Sequence, residues 1–212
     1  FFNLHAGEPT LWPDLDEFCE YVKSLDPRNI IRLLTNGTRS TKWWTSRNQL
    51  IDNIIVSVHH GQTKNEVISK KFDEIYDSGI DVSLHLMVDT NAFEICMDTY
   101  KYLYNNCKGP HLVFKPLRKT IIDSVLQDYT PEQISIMQDL PEKPHKGQRN
   151  TQQVAMQWKR IGEEPVEVHS IEKEILLPHL NDWKDWYCNM GVETIVVQHQ
   201  GWIKPGSNCF KK

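Results

Sequence analysis

Short apolar runs alternate with amphipathic segments along the first 117 residues of the chain. Five runs rich in β-branched and aromatic residues are bounded by turn residues, which predicts β-strands. They lie at 1–6, 30–34, 54–59, 82–88 and 111–117. Between them, apolar residues recur at i, i+3, i+4 and i+7, and this predicts helices around Leu15, Val67 and Phe93. Strand alternating with helix at this spacing predicts an α/β fold with a parallel sheet, either doubly wound or closed as a barrel.

The alternation stops after residue 117. The stretch 139–153 is polar with two prolines, which predicts a long loop or an insertion. Weaker strand patterns follow within 167–175 and 194–203. We therefore expect three parts: an α/β unit at 1–138, a polar loop or insertion at 139–165, and a C-terminal extension at 166–212. Because the chain opens directly on a strand pattern, without Met, we also expect it to be truncated at its N-terminus.

Composition and charge narrow the class of protein. With 39% hydrophobic and 25% charged residues, the chain is neither disordered nor collagenous nor disulfide-dense. The net charge of −4 does not favour binding to nucleic acid, and no apolar run approaches the roughly 20 residues that span a bilayer. Five cysteines, an odd number with no signal peptide ahead of them, indicate a reducing compartment. We expect a soluble, cytoplasmic protein with no membrane partner.

Candidate ligand-binding residues follow the first two strands. In parallel α/β folds, ligands bind beyond the carboxyl ends of the strands, where free backbone amides are presented. Gly7 would let the backbone approach a ligand, and Glu8 offers a carboxylate to an ammonium or hydroxyl group. Asn36, before Gly37, lies in a turn that could expose amides. The same residues could instead stabilise a tight turn and a helix dipole with no ligand.

Polar residues also mark the later strand ends. Ser57 and His59 share one face of the third strand, and His60 faces the other way. Lys115 and Arg118, at the end of the fifth strand, suit a carboxylate or phosphate, although they could equally form surface salt bridges.

Three motifs in order resemble the radical S-adenosylmethionine (radical SAM) enzymes. They are Gly-Glu-Pro-Thr at 7–10, Leu-Leu-Thr-Asn-Gly-Thr at 33–38 and Val-Ser-Val-His-His-Gly at 56–61. The resemblance implies a partial (β/α)6 barrel, of which residues 1–138 would supply strands two to six. Ala6-Gly7-Glu8 is similar to the family's Gly-Gly-Glu motif, whose carboxylate holds the amino group of the cofactor. Asn36, Ser57 and His59 would then also contact S-adenosylmethionine, and Lys115 and Arg118 would contact the cofactor or a substrate carboxylate.

The family's Cys-x-x-x-Cys-x-x-Cys motif, which holds a [4Fe-4S] cluster, does not occur in this sequence. We expect it upstream, in the parent protein. The resemblance implies reductive cleavage of S-adenosylmethionine by that cluster to a 5′-deoxyadenosyl radical, with electrons from a donor such as flavodoxin or ferredoxin. The radical would act on an unidentified peptide or small molecule. This fragment alone is expected to be inactive.

Two later cysteines, Cys188 and Cys209, flank a predicted hairpin. Their context is similar to the auxiliary-cluster (SPASM or twitch) extensions of some radical SAM enzymes, which implies that both are iron ligands. Unpaired structural cysteines are the alternative. Cys19 and Cys96 lie on apolar helix faces and are expected to be core residues.

Two other functions remain open. A metal-dependent hydrolase on a related barrel could use His5, His59 and His85, because imidazoles at strand ends are common Zn²⁺ ligands, although His85 is expected in mid-strand. A non-catalytic binding module is the second alternative, if the parent protein also lacks the cysteine triplet.

Overall fold

The computed structural model of the chain describes residues 2–5, 7–119, 126–141 and 143, and the backbone of 156–158, 166–168, 196–197 and 203–204. Its main feature is a five-stranded parallel sheet in the order β1-β2-β3-β4-β5. The strands are β1 (Phe2–Leu4), β2 (Ile31–Thr35), β3 (Asn53–His59), β4 (Asp81–Val88) and β5 (His111–Pro116).

Five helices accompany the sheet. Four of them connect consecutive strands, and the last follows β5. They are α1 (Leu15–Leu25), α2 (Thr41–Thr45), α3 (Asn65–Asp77), α4 (Phe93–Asn106) and α5 (Pro131–Asp139). Single turns of 3-10 helix precede α1, at Pro9–Leu11, and α4, at Thr90–Ala92.

Every strand of this sheet pairs with the strand that follows it along the chain. Phe2 is in register with Ile31, and Ser83 with His111. Because parallel connections are right-handed almost without exception, a constant direction of progression places successive helices on the same face. The contacts of α3 with both α2 and α4 agree with that placement. Sequential strand order with one helical layer is the arrangement of β/α barrels rather than of doubly wound sheets.

The core lies between the sheet and its helical layer. Alternate strand residues such as Leu33, Val56 and Leu84 are almost fully buried there. Helix α1 presents Leu15, Cys19 and Val22 to this layer, at the spacing of one helical face. The side chains that alternate with the buried strand residues therefore occupy the opposite face of the sheet.

A buried ion pair stabilises the edge of the sheet at which the strands begin. Asp52, just before β3, accepts hydrogen bonds from Lys23 Nζ at 2.6 Å and from the Ile31 amide at 2.8 Å. Since Lys23 lies on α1 and Ile31 begins β2, one carboxylate joins three consecutive parts of the fold.

The predicted α/β class and all five strands are confirmed, with bounds that differ by one or two residues, and so are the helices around Leu15, Val67 and Phe93. The structure adds α2 and α5, which the periodicity analysis did not identify. Five sequential parallel strands are described, and the (β/α)6 barrel remains a prediction.

Beyond residue 143, the described backbone consists of two antiparallel pairs. These are β6 (Met156–Trp158) with β7 (Val166–Val168), and β8 (Val196–Val197) with β9 (Ile203–Lys204). The proposed boundaries at 139–165 and 166–212 remain predictions. Within the described residues, no helix is both long and apolar enough to cross a membrane.

Candidate functional site

The carboxyl ends of the parallel strands meet at one edge of the sheet, and most of the predicted site residues lie there. Gly7 and Glu8 follow β1, and Asn36 follows β2. Ser57 and His59 lie in the last half of β3. The topology therefore brings the first three sequence motifs to neighbouring positions along this edge.

The Glu8 carboxylate connects the loop after β1 to the end of β2. Its Oε1 accepts hydrogen bonds from the hydroxyl groups of Thr35 and Thr10, each at 2.8 Å, and from the Thr10 amide at 3.2 Å. Its Oε2 accepts the Asn36 amide at 2.8 Å. Among the described residues Oε2 has this one donor, and a carboxylate oxygen can accept a second. Glu8 thus has a structural role and can still accept a hydrogen bond from a ligand.

Two opposing effects act on the charge of Glu8. Burial raises the pKa of its carboxyl group, but the hydrogen bonds from Asn36, Thr10 and Thr35 outweigh burial and lower the pKa overall. Glu8 is therefore ionised at neutral pH, as a carboxylate that pairs with an ammonium group must be.

Glycines allow the backbone to turn beside this carboxylate. Gly7 and Gly37 both have left-handed conformations, with φ of 60° and 68°. A side chain at Gly7 would meet open space, whereas a Cβ at Gly37 would lie 2.8 Å from both Phe72 and Val56. Gly37 is thus required by packing, and Gly7 leaves room next to the backbone for a ligand.

Two cations that the sequence analysis did not identify hold the loop after β2 in place. Arg39 Nη2 donates to the Thr10 carbonyl at 2.6 Å, and its guanidinium lies 5.5 Å from the centre of the Trp43 ring. Lys71 Nζ, on α3, donates to the Gly37 carbonyl. Neither contact has a signal in the sequence, because each joins side chains to backbone atoms about 30 residues away.

The face of the sheet opposite the helices carries a second group of polar side chains. We call this face the open face. On β3, β4 and β5 the open face comprises Ile55, Ser57, His59, Ser83, His85, Met87, His111, Val113 and Lys115. The register places Ser57 beside His85, and Met87 between His59 and Lys115. Most of these side chains are partly exposed.

Positive charge is concentrated around His85 on the open face. Burial, together with repulsion of the imidazolium by Lys115, His111 and Arg32, lowers the pKa of His85 to about 3. Burial also lowers the pKa of Lys115 to about 8. At neutral pH His85 is therefore a neutral imidazole, next to an ammonium group that is still mostly charged.

The ends of β4 and β5 are closed by a side chain from the segment before α5. The hydroxyl group of Tyr129 donates to the Val88 carbonyl at 2.6 Å and accepts the Leu117 amide at 2.7 Å. Arg118 is exposed just beyond β5, where its backbone forms a bridge with Leu126. The structure thus places Lys115 on the open face and Arg118 in a separate, exposed position.

The described cysteines do not form a group. Cys19 and Cys96 are buried on α1 and α4, as predicted, and Cys107 is buried after α4. Burial raises the pKa of all three thiols, to about 11 for Cys19 and Cys107. His60 does face away from His59, and its Nδ1 lies 3.9 Å from Cys96 Sγ.

Other candidate metal ligands are equally dispersed. In the described part of the chain, no three or more His, Cys, Asp or Glu side chains could together hold a metal ion. The histidines considered for a hydrolase, His5, His59 and His85, therefore do not form such a group. The possible iron ligands Cys188 and Cys209, and Ala6 of the Ala-Gly-Glu motif, lie outside the described residues.

Comparison with known proteins does not identify the chain. No family model matches the chain, and neither a curated protein nor a solved structure is detectably similar to it.

Proposed function

We propose that this chain is the barrel portion of a radical SAM enzyme and binds S-adenosylmethionine at the carboxyl edge of β1 and β2. One observation carries the proposal: the ionised Glu8 carboxylate is fixed at that edge by Thr35 and Asn36, with Oε2 able to accept a further donor. The sequential parallel sheet and the order of the three motifs support it.

The residues at this edge fit the amino acid part of the cofactor. Glu8 Oε2 would accept a hydrogen bond from the ammonium group, and the space beside Gly7 would admit the ligand next to the backbone. Asn36, Ser57 and His59 supply further polar groups along the same edge. Since Thr35 and Asn36 hold the carboxylate before a ligand arrives, binding requires little reordering of Glu8.

The described cysteines do not fit an iron-sulfur cluster, because Cys19, Cys96 and Cys107 are buried apart from one another as protonated thiols. In the proposed enzyme, a [4Fe-4S] cluster would supply the electron that cleaves the cofactor to a 5′-deoxyadenosyl radical. Its ligands would come from outside the described residues, and its electron from a donor such as flavodoxin or ferredoxin. The residues of this chain would bind and orient the cofactor.

Binding of the cofactor to the 212-residue chain can be measured by isothermal titration calorimetry. Loss of a charge-assisted hydrogen bond costs about 1.5–3 kcal/mol, so Glu8→Gln should weaken S-adenosylmethionine binding about ten- to a hundredfold. Glu17→Gln, at an acidic position in the first turn of α1, is the matched control and should leave the affinity unchanged.

A second ligand separates recognition from folding. 5′-Methylthioadenosine has the nucleoside but lacks the amino acid, so Glu8→Gln should leave its affinity unchanged. If Glu8→Gln lowers the affinity for both ligands equally, Glu8 maintains the shape of the site and does not recognise the amino acid. If S-adenosylmethionine does not bind the unsubstituted 212-residue chain, or binds Glu8→Gln equally well, the proposed function is wrong.

A further inference from the structure

Arg39 lies close to Glu8 but does not pair with it. Thr10 separates the two charges: its amide and hydroxyl group donate to Glu8 Oε1, at 3.2 Å and 2.8 Å, and its carbonyl accepts from Arg39 Nη2 at 2.6 Å. Within the part of the chain that the structure describes, no direct hydrogen bond or ion pair joins Glu8 to Arg39. A carboxylate and a guanidinium group are therefore held near each other at the carboxyl edge of the sheet without neutralising each other.

The guanidinium group of Arg39 has more donors than it uses. An arginine side chain carries several N–H donors, and among the described residues the Thr10 carbonyl is the one hydrogen-bond acceptor for Arg39. Nε is buried without an acceptor. Nη1 has no acceptor either, but it is not buried, so a ligand can reach it.

Two arginines lie against the ring of Trp43, and they differ in their acidic partners. Arg47 lies 4.1 Å from the centre of the ring and donates to both carboxylate oxygens of Asp16, at 2.7 Å and 2.8 Å. Arg39 lies 5.5 Å from the same centre and contacts no carboxylate of the described residues. A partly buried guanidinium group without a counter-charge is costly. A ligand carboxylate would supply the counter-charge that Asp16 supplies to Arg47.

We propose that Arg39 binds the carboxylate of the ligand whose ammonium group contacts Glu8, so that the two side chains together recognise a zwitterionic α-amino acid group. The inference rests on the proposed function for the position of that ligand and for its identity as S-adenosylmethionine. Nη1 and the second N–H of Nη2 would donate to the two carboxylate oxygens, in the bidentate geometry that arginine favours.

The contacts through Thr10 limit the separation of the two charged groups. The path from Glu8 Oε1 through the amide and carbonyl of Thr10 to Arg39 Nη2 is about 9 Å long, and the direct distance is shorter. An α-amino acid that forms one hydrogen bond from its ammonium group and accepts one at its carboxylate spans up to about 9 Å. One amino acid group can therefore contact both side chains at once.

The cations at the end of β5 cannot take this role. Lys115 and Arg118 lie four strands away from Glu8 in the sheet, which is roughly 19 Å when measured along it. The ammonium and carboxylate groups of an amino acid are attached to one carbon atom. A ligand whose ammonium group contacts Glu8 therefore meets Arg39, and does not place its carboxylate at β5.

The inference can be tested on the unsubstituted chain by isothermal titration calorimetry with two ligands. Decarboxylated S-adenosylmethionine keeps the nucleoside, the sulfonium and the ammonium group, and lacks only the carboxylate. We expect the unsubstituted chain to bind S-adenosylmethionine at least tenfold more tightly than the decarboxylated ligand. Equal affinities would overturn the inference.

Variants then assign the difference to Arg39. Arg39→Gln should weaken S-adenosylmethionine binding at least tenfold and change the affinity for the decarboxylated ligand by less than twofold. Arg39→Lys keeps the charge without the planar fork, so it should weaken S-adenosylmethionine binding severalfold, and it replaces Arg39→Gln if that variant does not fold. Lys42→Gln removes an exposed cation from α2 and is the control with both affinities unchanged. If Arg39 only supports the Thr10 carbonyl, its substitution will weaken both ligands equally, and the inference is wrong.

Failure of this inference can be distinguished from failure of the proposed function. If S-adenosylmethionine binding depends on Glu8 but not on Arg39, the proposed function stands and the present inference fails. If S-adenosylmethionine does not bind the unsubstituted chain, L-methionine tests the amino acid site alone. Binding of L-methionine that both Glu8→Gln and Arg39→Gln weaken would retain the amino acid site and refute the radical SAM assignment, and absence of binding by both ligands would refute both.

Discussion

The carboxylate of Glu8 and the hydroxyl group of Thr35 form a 2.8 Å hydrogen bond across 27 residues of sequence. Thr35 is almost fully buried, and the same hydroxyl oxygen accepts the Gly37 amide at 3.0 Å. The candidate cofactor carboxylate and the turn after β2 therefore depend on one threonine side chain.

Replacement of that hydroxyl group by a methyl group should destabilise the protein. Thr35→Val leaves Glu8 and the Gly37 amide each without one partner, so we expect the free energy of unfolding to fall by about 2 kcal/mol. Urea denaturation monitored by circular dichroism measures the change. Thr63→Val, at an exposed position, should change stability by less than about 0.5 kcal/mol. Equal effects of the two variants would mean that the Glu8–Thr35 contact contributes nothing.

The two left-handed glycines of the site should differ in their tolerance to alanine. Gly7→Ala should cost only the backbone strain of a left-handed alanine, about 1 kcal/mol, because the added Cβ meets no other atom. Gly37→Ala adds the same strain and close contacts with Phe72 and Val56, for a total of about 2–4 kcal/mol. Thermal unfolding of both variants under one buffer condition tests the difference. A larger loss at Gly7 would contradict the packing around Gly37.

Two ion pairs of similar length should contribute very differently to stability. The Lys23–Asp52 pair at 2.6 Å is mostly buried, and the Arg28–Asp26 pair at 2.8 Å is exposed. Asp52→Asn should reduce the free energy of unfolding by about 3 kcal/mol, because it leaves the Lys23 charge buried without its partner. Asp26→Asn should leave the urea midpoint almost unchanged. If both variants shift the midpoint equally, burial is not what makes the first pair important.

Stability should fall in weak acid because of His85. Its pKa is about 3 in the folded protein and near the ordinary histidine value of 6.5 when unfolded, so below pH 6.5 the unfolded state binds the additional proton. The free energy of unfolding should therefore decrease as the pH falls from 6.5 towards 3, by up to about 1.4 kcal/mol per pH unit from this group. Urea titrations of the unsubstituted chain and of His85→Asn at pH 7 and pH 5 isolate the contribution of His85 to the free energy of unfolding. The variant should lose less stability over that interval. Between pH 7 and pH 8 the difference between the two proteins should stay constant. Parallel profiles down to pH 5 would show that His85 protonates equally in both states.

The described cysteines should resist alkylation in the folded protein. With a thiol pKa of about 11, Cys19 and Cys107 are ionised to about one part in a thousand at pH 8, and both are buried. Peptide mapping after brief treatment with iodoacetamide should find these two residues unmodified, whereas the same treatment in guanidinium chloride should modify both. Rapid labelling of either thiol in the native protein would be inconsistent with its burial.

The sequence predicted the strands well because each one combines an apolar run with turn residues at its ends. It did not predict α2, since Thr41–Thr45 is too short for one helical period to repeat. Glu8 was identified from its position after a strand, but its partner Thr35 depends on the pairing of β1 with β2, which residue patterns do not specify. Likewise, His85 had no distinguishing feature as a mid-strand histidine, until the sheet placed it among Lys115, His111 and Arg32.

The sequential order of the strands also has a consequence for how the chain acquires its structure. Each strand pairs with the one synthesised just before it, as Phe2 does with Ile31 and Asn53 with Asp81. Pairing between consecutive strands keeps each loop between register partners as short as one βα unit, which limits the entropic cost of closing it. We therefore expect the sheet to grow strand by strand from β1, with β2, β3 and β4 paired before β5 joins them.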